Sequence, residues 1–127
     1  MVKEEERLKA VGYCRTARED QRTKQLFLRQ RDIIERCITL ECFEFTNCFF
    51  EVGNAGEALM QAYDYCKRVN DINYLVVSNF NRLSRDIKVL RAWHYKFLEL
   101  GVEVISADDK DYMVNHVSSV PEKSEGN

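Results

Sequence analysis

The chain lacks several residues and patterns that would assign a function at once. Its 127 residues include two histidines and one proline, and its five cysteines form no CxxC pair. A structural zinc site needs four Cys or His ligands at short characteristic spacings, so this composition argues against one. We therefore expect no metal and no other cofactor, and no small-molecule substrate.

Long apolar runs and an excess of basic charge are missing as well. No run approaches the roughly 20 residues that cross a bilayer, and the mixed-charge start Met1–Arg7 does not resemble a signal peptide. The odd number of cysteines in apolar patterns indicates buried free thiols. These features predict a cytoplasmic protein with no membrane partner. The formal net charge of −2 excludes gripping nucleic acid by overall charge, so any DNA contact must come from a local basic cluster or a partner.

Apolar patterning divides the chain into alternating strands and helices. The predicted strands are Lys9–Cys14, Cys42–Phe50, Ile72–Ser78 and Val102–Ser106, and the predicted helices are 18–37, 58–69 and 82–100, the last ended by Gly101. This alternation predicts an α/β fold: a three-layer, mostly parallel sheet with helices on both faces. Residues 1–8 are predicted to form a charged arm, 9–107 the α/β domain, and 108–127 a polar, disordered tail.

Three segments with chemically active residues follow strands of the predicted sheet. They are Arg15 with Ala17, the Gly53–Gly56 loop, and Asn81–Arg85. Ligands of such sheets bind outside the carboxyl ends of the strands, so we expect the three segments to form one site. Arg15 and residue 17 should leave the strand on the same face.

The pair Arg82 and Arg85 is predicted to lie on one face of a helix start, with Asn81 as the N-cap. Two arginines beside free backbone N–H groups would suit a phosphate or sulfate. The alternative is a surface arginine pair bridged to Asp86 or Glu19. Along the same predicted helix, at least one of Trp93, Tyr95 and Phe97 should be exposed and hint at a partner surface.

The order of these parts resembles the catalytic domain of the serine recombinases, the resolvase and invertase family. That family begins with a strand reading Tyr-x-Arg-x-Ser, then acidic residues and glutamines, followed by an aspartate, a Ser-Gly loop and an Arg-Pro at a helix start. The corresponding positions here are Tyr13-Cys14-Arg15-Thr16-Ala17, Glu19-Asp20-Gln21, Gln30, Glu51, Ala55-Gly56 and Gln61-Ala62.

The second half of the chain continues the resemblance. In the family an apolar strand ends in Asp-Arg-Leu-Ser/Gly-Arg, and a helix and a Gly-Val-x-Val/Leu strand follow. This chain has Leu75-Val76-Val77, Asn81-Arg82-Leu83-Ser84-Arg85 and Gly101-Val102-Glu103-Val104-Ile105 at those places. The resemblance covers about residues 8 to 107 and implies the resolvase fold.

In that family a serine attacks a DNA phosphate, and arginines stabilise the charge on the phosphoryl oxygens. The resemblance implies phosphate-binding roles for Arg15, Arg82 and Arg85. Ala17 stands at the place of the nucleophile, Gln61 replaces an arginine, and Asn81 replaces a carboxylate. Among neighbouring hydroxyls, Thr16 should point to the opposite face, Ser84 has no reason to reach the site, and Ser78 is the best remaining substitute.

Three departures at one site predict a pseudoenzyme: a catalytically degenerate, recombinase-like protein linked to DNA recombination. Its expected partner is a recombinase-family protein or a second copy of itself, with weak DNA contact. The alternatives are a weak DNA- or phosphate-binding module, a working recombinase with atypical residues, and the remnant of a mobile element. Relatives continue into a dimerisation helix and a helix-turn-helix domain. No such pattern follows Ile105, so autonomous sequence-specific DNA binding is not expected unless the chain is a fragment.

Overall fold

A computed structural model describes residues 7–107 of the chain. In chain order the elements are β1 (Lys9–Thr16), α1 (Thr23–Leu40), β2 (Glu44–Val52), α2 (Glu57–Val69), β3 (Tyr74–Val77), a single 3-10 turn (Phe80–Arg82), α3 (Ile87–Leu98) and β4 (Glu103–Ser106). The tail predicted over 108–127 and all but the last two residues of the predicted arm lie outside the described residues.

The four strands form one parallel sheet in the order β2-β1-β3-β4. Helix α1 packs on one face, where Ile34, Cys37 and Ile38 meet Ala10 and Val76. Helices α2 and α3 pack on the other face, where the core includes Val11, Leu59, Ala62, Leu75 and Phe97. The α/β, three-layer fold with helices on both faces is confirmed.

The start of α1 was predicted wrongly at Arg18, because side chains in that segment bind the backbone in a competing turn. The Thr23 hydroxyl accepts a hydrogen bond from the Asp20 N–H (2.8 Å), and the Asp20 carboxylate accepts one from the Arg22 N–H (2.8 Å). Such local bonds offer the backbone an alternative to helical pairing. The helix therefore begins at Thr23.

The start of α3 was also predicted wrongly, and this affects the arginines. Arg82 ends the 3-10 turn, Arg85 lies in the following bend, and the helix begins only at Ile87. Its N-cap is Asp86, whose carboxylate accepts a hydrogen bond from the Lys88 N–H at 2.9 Å. Asn81 is not a helix N-cap, and the two arginines do not share the first turn of a helix.

The predicted glycine stop of α3 is confirmed. Gly101 has a φ of +80°, the left-handed conformation that glycine adopts without a Cβ clash. Its N–H donates to the Leu98 carbonyl (2.8 Å), and the Val102 N–H donates to the Phe97 carbonyl (3.0 Å). This is a Schellman motif, which directs the chain back into the sheet at β4.

All five cysteines are free, but they are not all buried as the sequence suggested. Cys14, Cys37 and Cys66 are buried, Cys48 is half-buried and Cys42 is exposed. Cys42 lies in the turn between α1 and β2, with a φ of +60°, rather than in the predicted strand. No helix within residues 7–107 is long and apolar enough to cross a bilayer.

Candidate functional site

The candidate site lies where the chain leaves two adjacent strands toward opposite faces of the sheet. After β1 the chain enters α1 on one face, whereas after β3 it enters α3 on the other. This topological switch point is where ligands of open α/β sheets bind, because the diverging connections leave a crevice between them. The segments after β1 and β3 carry Arg15, Ala17, Asn81, Arg82 and Arg85.

Arg15 connects the three segments that the sequence predicted to converge. Its guanidinium donates from Nε to the carbonyl of Arg82 (2.6 Å), from Nη1 to that of Gly53 (2.8 Å) and from Nη2 to that of Asn81 (3.1 Å). One side chain thus ties the end of β1 to the loop after β2 and to the 3-10 turn. These bonds occupy three of its five N–H groups, so Arg15 is chiefly a structural tie.

The backbone of Arg15 is itself held by a buried side chain of α1. Gln30 is 3% exposed, and its Oε1 accepts from the Arg15 N–H while its Nε2 donates to the Arg15 carbonyl, both at 2.9 Å. Gln30 is a polar residue among the apolar residues that α1 buries, and this signal could have indicated the bond. The pairing of β1 with β3 ends at Tyr13, so Gln30 supplies Arg15 with the backbone partners that β3 does not.

Arg82 lies at the centre of the switch point, with part of its side chain unsatisfied. Its Nη1 donates a long hydrogen bond of 3.4 Å to the Arg15 carbonyl, whereas its buried Nε has no partner. The buried oxygens Ser78 Oγ and Asn79 Oδ1 also lack partners among the described residues. Burial lowers the pKa of Arg82, and the positive charges of Arg15 and Arg85 lower it further.

Glu51 stabilises the loop opposite the arginines. Its carboxylate is buried, and it accepts hydrogen bonds from the Tyr13 hydroxyl (2.6 Å) and from the N–H groups of Gly56 and Ala58 (2.9 Å each). Burial alone would raise the pKa of Glu51, but these bonds outweigh it and the pKa lies below the usual value. The carboxylate caps the start of α2, a role the sequence did not predict.

The three active-site positions that lack the catalytic groups of the family are all exposed. Ala17 is the first residue after β1, Gln61 lies on α2, and Asn81 lies within the 3-10 turn. Asn81 takes part in the site through its backbone carbonyl, which accepts the bond from Arg15. Arg85 is exposed in the bend before α3, close enough for its charge to act on Arg82.

Comparison with known protein families gives the same assignment as the site and the fold. The family described as "Resolvase, N terminal domain" matches residues 10–119. The chain belongs to the resolvase family of serine recombinases. No curated protein sequence matches it significantly.

Solved structures similar to this resolvase domain include catalytic domains of serine recombinases. A resolvase family site-specific recombinase from Streptococcus pneumoniae has a TM-score of 0.69 and 17% identity, over 95% of this chain and 90% of that one. The N-terminal catalytic domain of TP901-1 integrase has a TM-score of 0.68 and 14% identity, over 93% and 97%. The C-terminal catalytic domain of the IS607-like serine recombinase ISC1926 TnpA has a TM-score of 0.67 and 15% identity, over 88% and 78%. At these identities the comparison establishes a shared fold.

The hydroxyl groups of the resolvase domain near the switch point are buried or already bonded. Thr16 is buried, and Ser78 is 2% exposed with its Oγ unpartnered. Ser84 is half-buried, and its Oγ accepts a hydrogen bond from the Asp86 N–H at 2.9 Å. Within residues 7–107, no group of three or more His, Cys, Asp or Glu side chains could hold a metal ion.

Proposed function

We propose that this chain is a non-catalytic member of the serine recombinase family that acts by binding another recombinase-family protein. The observation that carries the proposal is Ala17. It is an exposed residue directly after β1, at the place where the family resemblance calls for the serine nucleophile. A methyl group cannot attack phosphorus, and loss of a nucleophile costs covalent enzymes several orders of magnitude in rate.

The surrounding hydroxyls support the proposal because none is placed to replace the serine. Ser78 is buried beneath the site, and a nucleophile must reach the phosphate within about 3–3.5 Å. Ser84 is engaged with the backbone of Asp86. Gln61 and Asn81 add to the loss, since an amide brings no positive charge to the phosphate and exchanges no proton at neutral pH.

A retained fold beside a disabled site is consistent with selection for binding rather than catalysis. Helix α3 buries Phe97 and packs Leu90 and Trp93 against the core. An adjoining side of the helix carries an outer stripe formed by Ile87, Arg91, Tyr95 and Leu98, spaced at helical intervals of three and four. Within it Ile87 is 60%, Tyr95 58% and Leu98 47% exposed, as expected of a helix face that docks on another protein.

The absence of catalysis is tested by trapping a covalent intermediate. The full chain and an active serine recombinase from the same genome are each incubated with nicked crossover-site DNA of that recombinase, then denatured and resolved by electrophoresis. The active enzyme should give a protein–DNA adduct and this chain none. An adduct formed by this chain would support the alternative of a working recombinase with atypical residues.

Binding is tested separately by sedimentation velocity of the purified chain, alone and mixed with that recombinase. A complex of both proteins supports the proposal, whereas a homodimer alone points to self-association. If the chain sediments as an inert monomer at all concentrations, with or without the recombinase, the binding role is refuted.

A second candidate function is weak binding of a phosphate, favoured by the state of Arg82. Within residues 7–107 its buried Nε has no hydrogen-bond partner, and its pKa is lowered by burial and by the positive charges of Arg15 and Arg85. A phosphate at the switch point would supply the missing acceptor and relieve the repulsion among the three arginines.

This candidate is tested by a DNA mobility shift over a range of salt concentrations. Binding through Arg82 and Arg85 should weaken as salt rises, and the Arg82→Ala plus Arg85→Ala variant should lose it. Arg29→Ala, which removes an exposed charge from α1, is the matched control and should bind like the unaltered chain. No shift even at low salt would exclude the candidate.

A further inference from the structure

A pair of thiols lies under α1, on the face of the sheet that this helix covers. Cys14 in β1 and Cys48 in β2 approach with their Sγ atoms 3.9 Å apart, within hydrogen-bonding distance for sulfur. The two strands are parallel neighbours, and Gly12 is the partner of Cys48 in the register. Cys14 therefore lies two residues along from that partner, on the same face of the sheet.

Gly12 provides the space that the Cys48 sulfur occupies. A Cβ atom at Gly12 would lie 3.1 Å from Cys48 Sγ and 3.2 Å from Ile34 Cγ2. Contacts this short are tighter than ordinary packing, so a side chain at Gly12 would displace its neighbours, the Cys48 thiol among them, by a few tenths of an ångström. The close approach of the two sulfurs is thus built into β1.

The two thiols differ in their access to solvent. Cys14 is fully buried, whereas Cys48 is half-buried and lines an open cavity of about 300 Å³ together with Arg31, Phe45, Asn47 and Phe50. A small oxidant can therefore enter this cavity and reach Cys48, but it cannot reach Cys14 directly.

The electrostatic environment favours ionisation of the accessible sulfur over that of Cys14. The hydrogen bond shared with Cys14 lowers the pKa of Cys48, and this effect together with the positive charge of Arg31 outweighs burial and the charge of Glu35. The same shared hydrogen bond, together with burial, raises the pKa of Cys14. Thiolates rather than thiols are the nucleophiles of cysteine chemistry, so Cys48 is the reactive member.

We propose that Cys48 and Cys14 form a peroxide-reactive dithiol in which Cys48 is oxidised first and Cys14 closes a reversible disulfide. The Cys48 thiolate attacks one oxygen of a hydroperoxide, the O–O bond breaks, and Cys48 becomes a sulfenic acid while the leaving oxygen takes up a proton as water or alcohol. The Cys14 sulfur then attacks Cys48 Sγ, and the sulfenic hydroxyl leaves with the Cys14 proton as water. Two thiols and one peroxide thus give one disulfide, one water and one water or alcohol.

Forming this bond requires the two strands to shift as well as the side chains, because Cys14 and Cys48 are diagonal neighbours, whose Cα atoms lie about 7–8 Å apart and beyond the usual disulfide range. The sulfurs must close from 3.9 Å to about 2.0 Å. A disulfide that forms only after oxidation, in a protein whose other thiols stay free, is typical of transient redox sites rather than structural ones.

The experiment oxidises the purified full chain with hydrogen peroxide and maps the products by mass spectrometry. Cleavage after glutamate separates the thiols, since glutamates 19, 35, 41, 44, 51 and 57 place each of the five cysteines in its own peptide. The expected product is a covalent link between the Cys14 and Cys48 peptides, with loss of two hydrogens, reversed by dithiothreitol.

Variants separate the roles of the two thiols. Cys14→Ala should leave a sulfenic acid on Cys48 that dimedone traps, and Cys48→Ser should abolish both products. Arg31→Gln should slow the oxidation severalfold, because it removes the charge that stabilises the thiolate. Cys66→Ser, which removes a buried thiol outside the pair, is the matched control and should leave the link unchanged.

If solvent exposure alone decided which cysteine is oxidised, the peptide map would be different. If accessibility governs oxidation, the exposed Cys42 reacts first and no Cys14–Cys48 link forms, which would overturn the proposal. Sulfenic acid on Cys48 in the unaltered chain without the link would refute the role of Cys14. The mapping on the unaltered chain decides the matter even if Cys14→Ala fails to fold.

Discussion

At the scale of single residues, Arg15 and Glu51 use their charge to hold backbone groups. Arg15 donates to three carbonyls of the loop after β2 and the 3-10 turn, and Glu51 accepts from the N–H groups at the start of α2. These loops carry backbone groups that no regular element pairs, so the charged side chains that bond them stabilise the edge of the sheet. Both residues therefore have a structural role in the fold.

Replacing Arg15 should destabilise the protein far more than an ordinary surface substitution. We expect Arg15→Ala to lower the free energy of unfolding by about 3 kcal/mol, since hydrogen bonds to charged groups contribute about 1.5–3 kcal/mol each and are not additive. Arg15→Lys should recover only part of the loss, because one ammonium cannot span three carbonyls as the planar guanidinium does. Urea denaturation measures the free energy of unfolding of both variants. If Arg15→Ala loses less stability than Arg29→Ala, the structural role of Arg15 is contradicted.

The carboxylate of Glu51 should make the folding stability of the protein depend on pH. Its pKa in the folded protein lies below the usual value of 4.5. The stabilisation it provides is therefore complete above that value and is lost as the pH falls through the folded pKa. Glu51→Gln should lower stability at neutral pH by about 1–2 kcal/mol, and the difference from the unaltered chain should shrink in acid.

The matched control for this pH dependence is Glu57→Gln, an exposed carboxylate in the first turn of the same helix. Thermal denaturation between neutral and acidic pH follows all three proteins. If Glu51→Gln and Glu57→Gln give parallel curves, the buried hydrogen bonds of Glu51 are not the cause.

At the scale of elements, apolar periodicity predicted the interiors of helices and strands but not the ends set by side-chain bonds. Helix α2 begins at Glu57, one residue before its predicted start at Ala58, because its apolar stripe begins where the helix does. Helix α3 begins later than predicted because the Ser84 hydroxyl accepts a bond from the Asp86 N–H, and the Asp86 carboxylate caps the helix by accepting from the Lys88 N–H. The capping residues were visible in the sequence, but Asn81 offered an equally good cap in the wrong place.

The N-cap of α3 gives a prediction at this scale. Asp86→Ala removes the acceptor of the Lys88 N–H and should cost about 1 kcal/mol, while Asp86→Asn should retain most of the stability. Asp64→Ala, an exposed aspartate within α2, is the control for loss of charge alone. Equal effects of Asp86→Ala and Asp64→Ala in chemical denaturation would show that the cap contributes nothing.

At the scale of the whole molecule, the fold and the convergence of three segments could be predicted from the sequence. The hydrogen bonding of the side chains within the site could not. Alternating strands and helices bring Arg15, Gly53 and Asn81 to one edge whatever the details of packing. That Arg15 would bond their carbonyls, and that Arg82 would keep a buried Nε unpartnered, depends on side-chain geometry across three segments. Periodicity carries no information on such contacts.

The outer stripe of α3 allows folding and association to be separated in one molecule. Ile87→Ser combined with Leu98→Ser should change stability by only about 0.5 kcal/mol per site, because both side chains are largely exposed. The same change should abolish assembly in sedimentation velocity, since it removes the apolar contacts of the proposed interface. Leu40→Ser, which alters an exposed leucine on α1, should leave assembly intact. Assembly that survives the double substitution would place the interface on another face and leave the stripe without a role in binding.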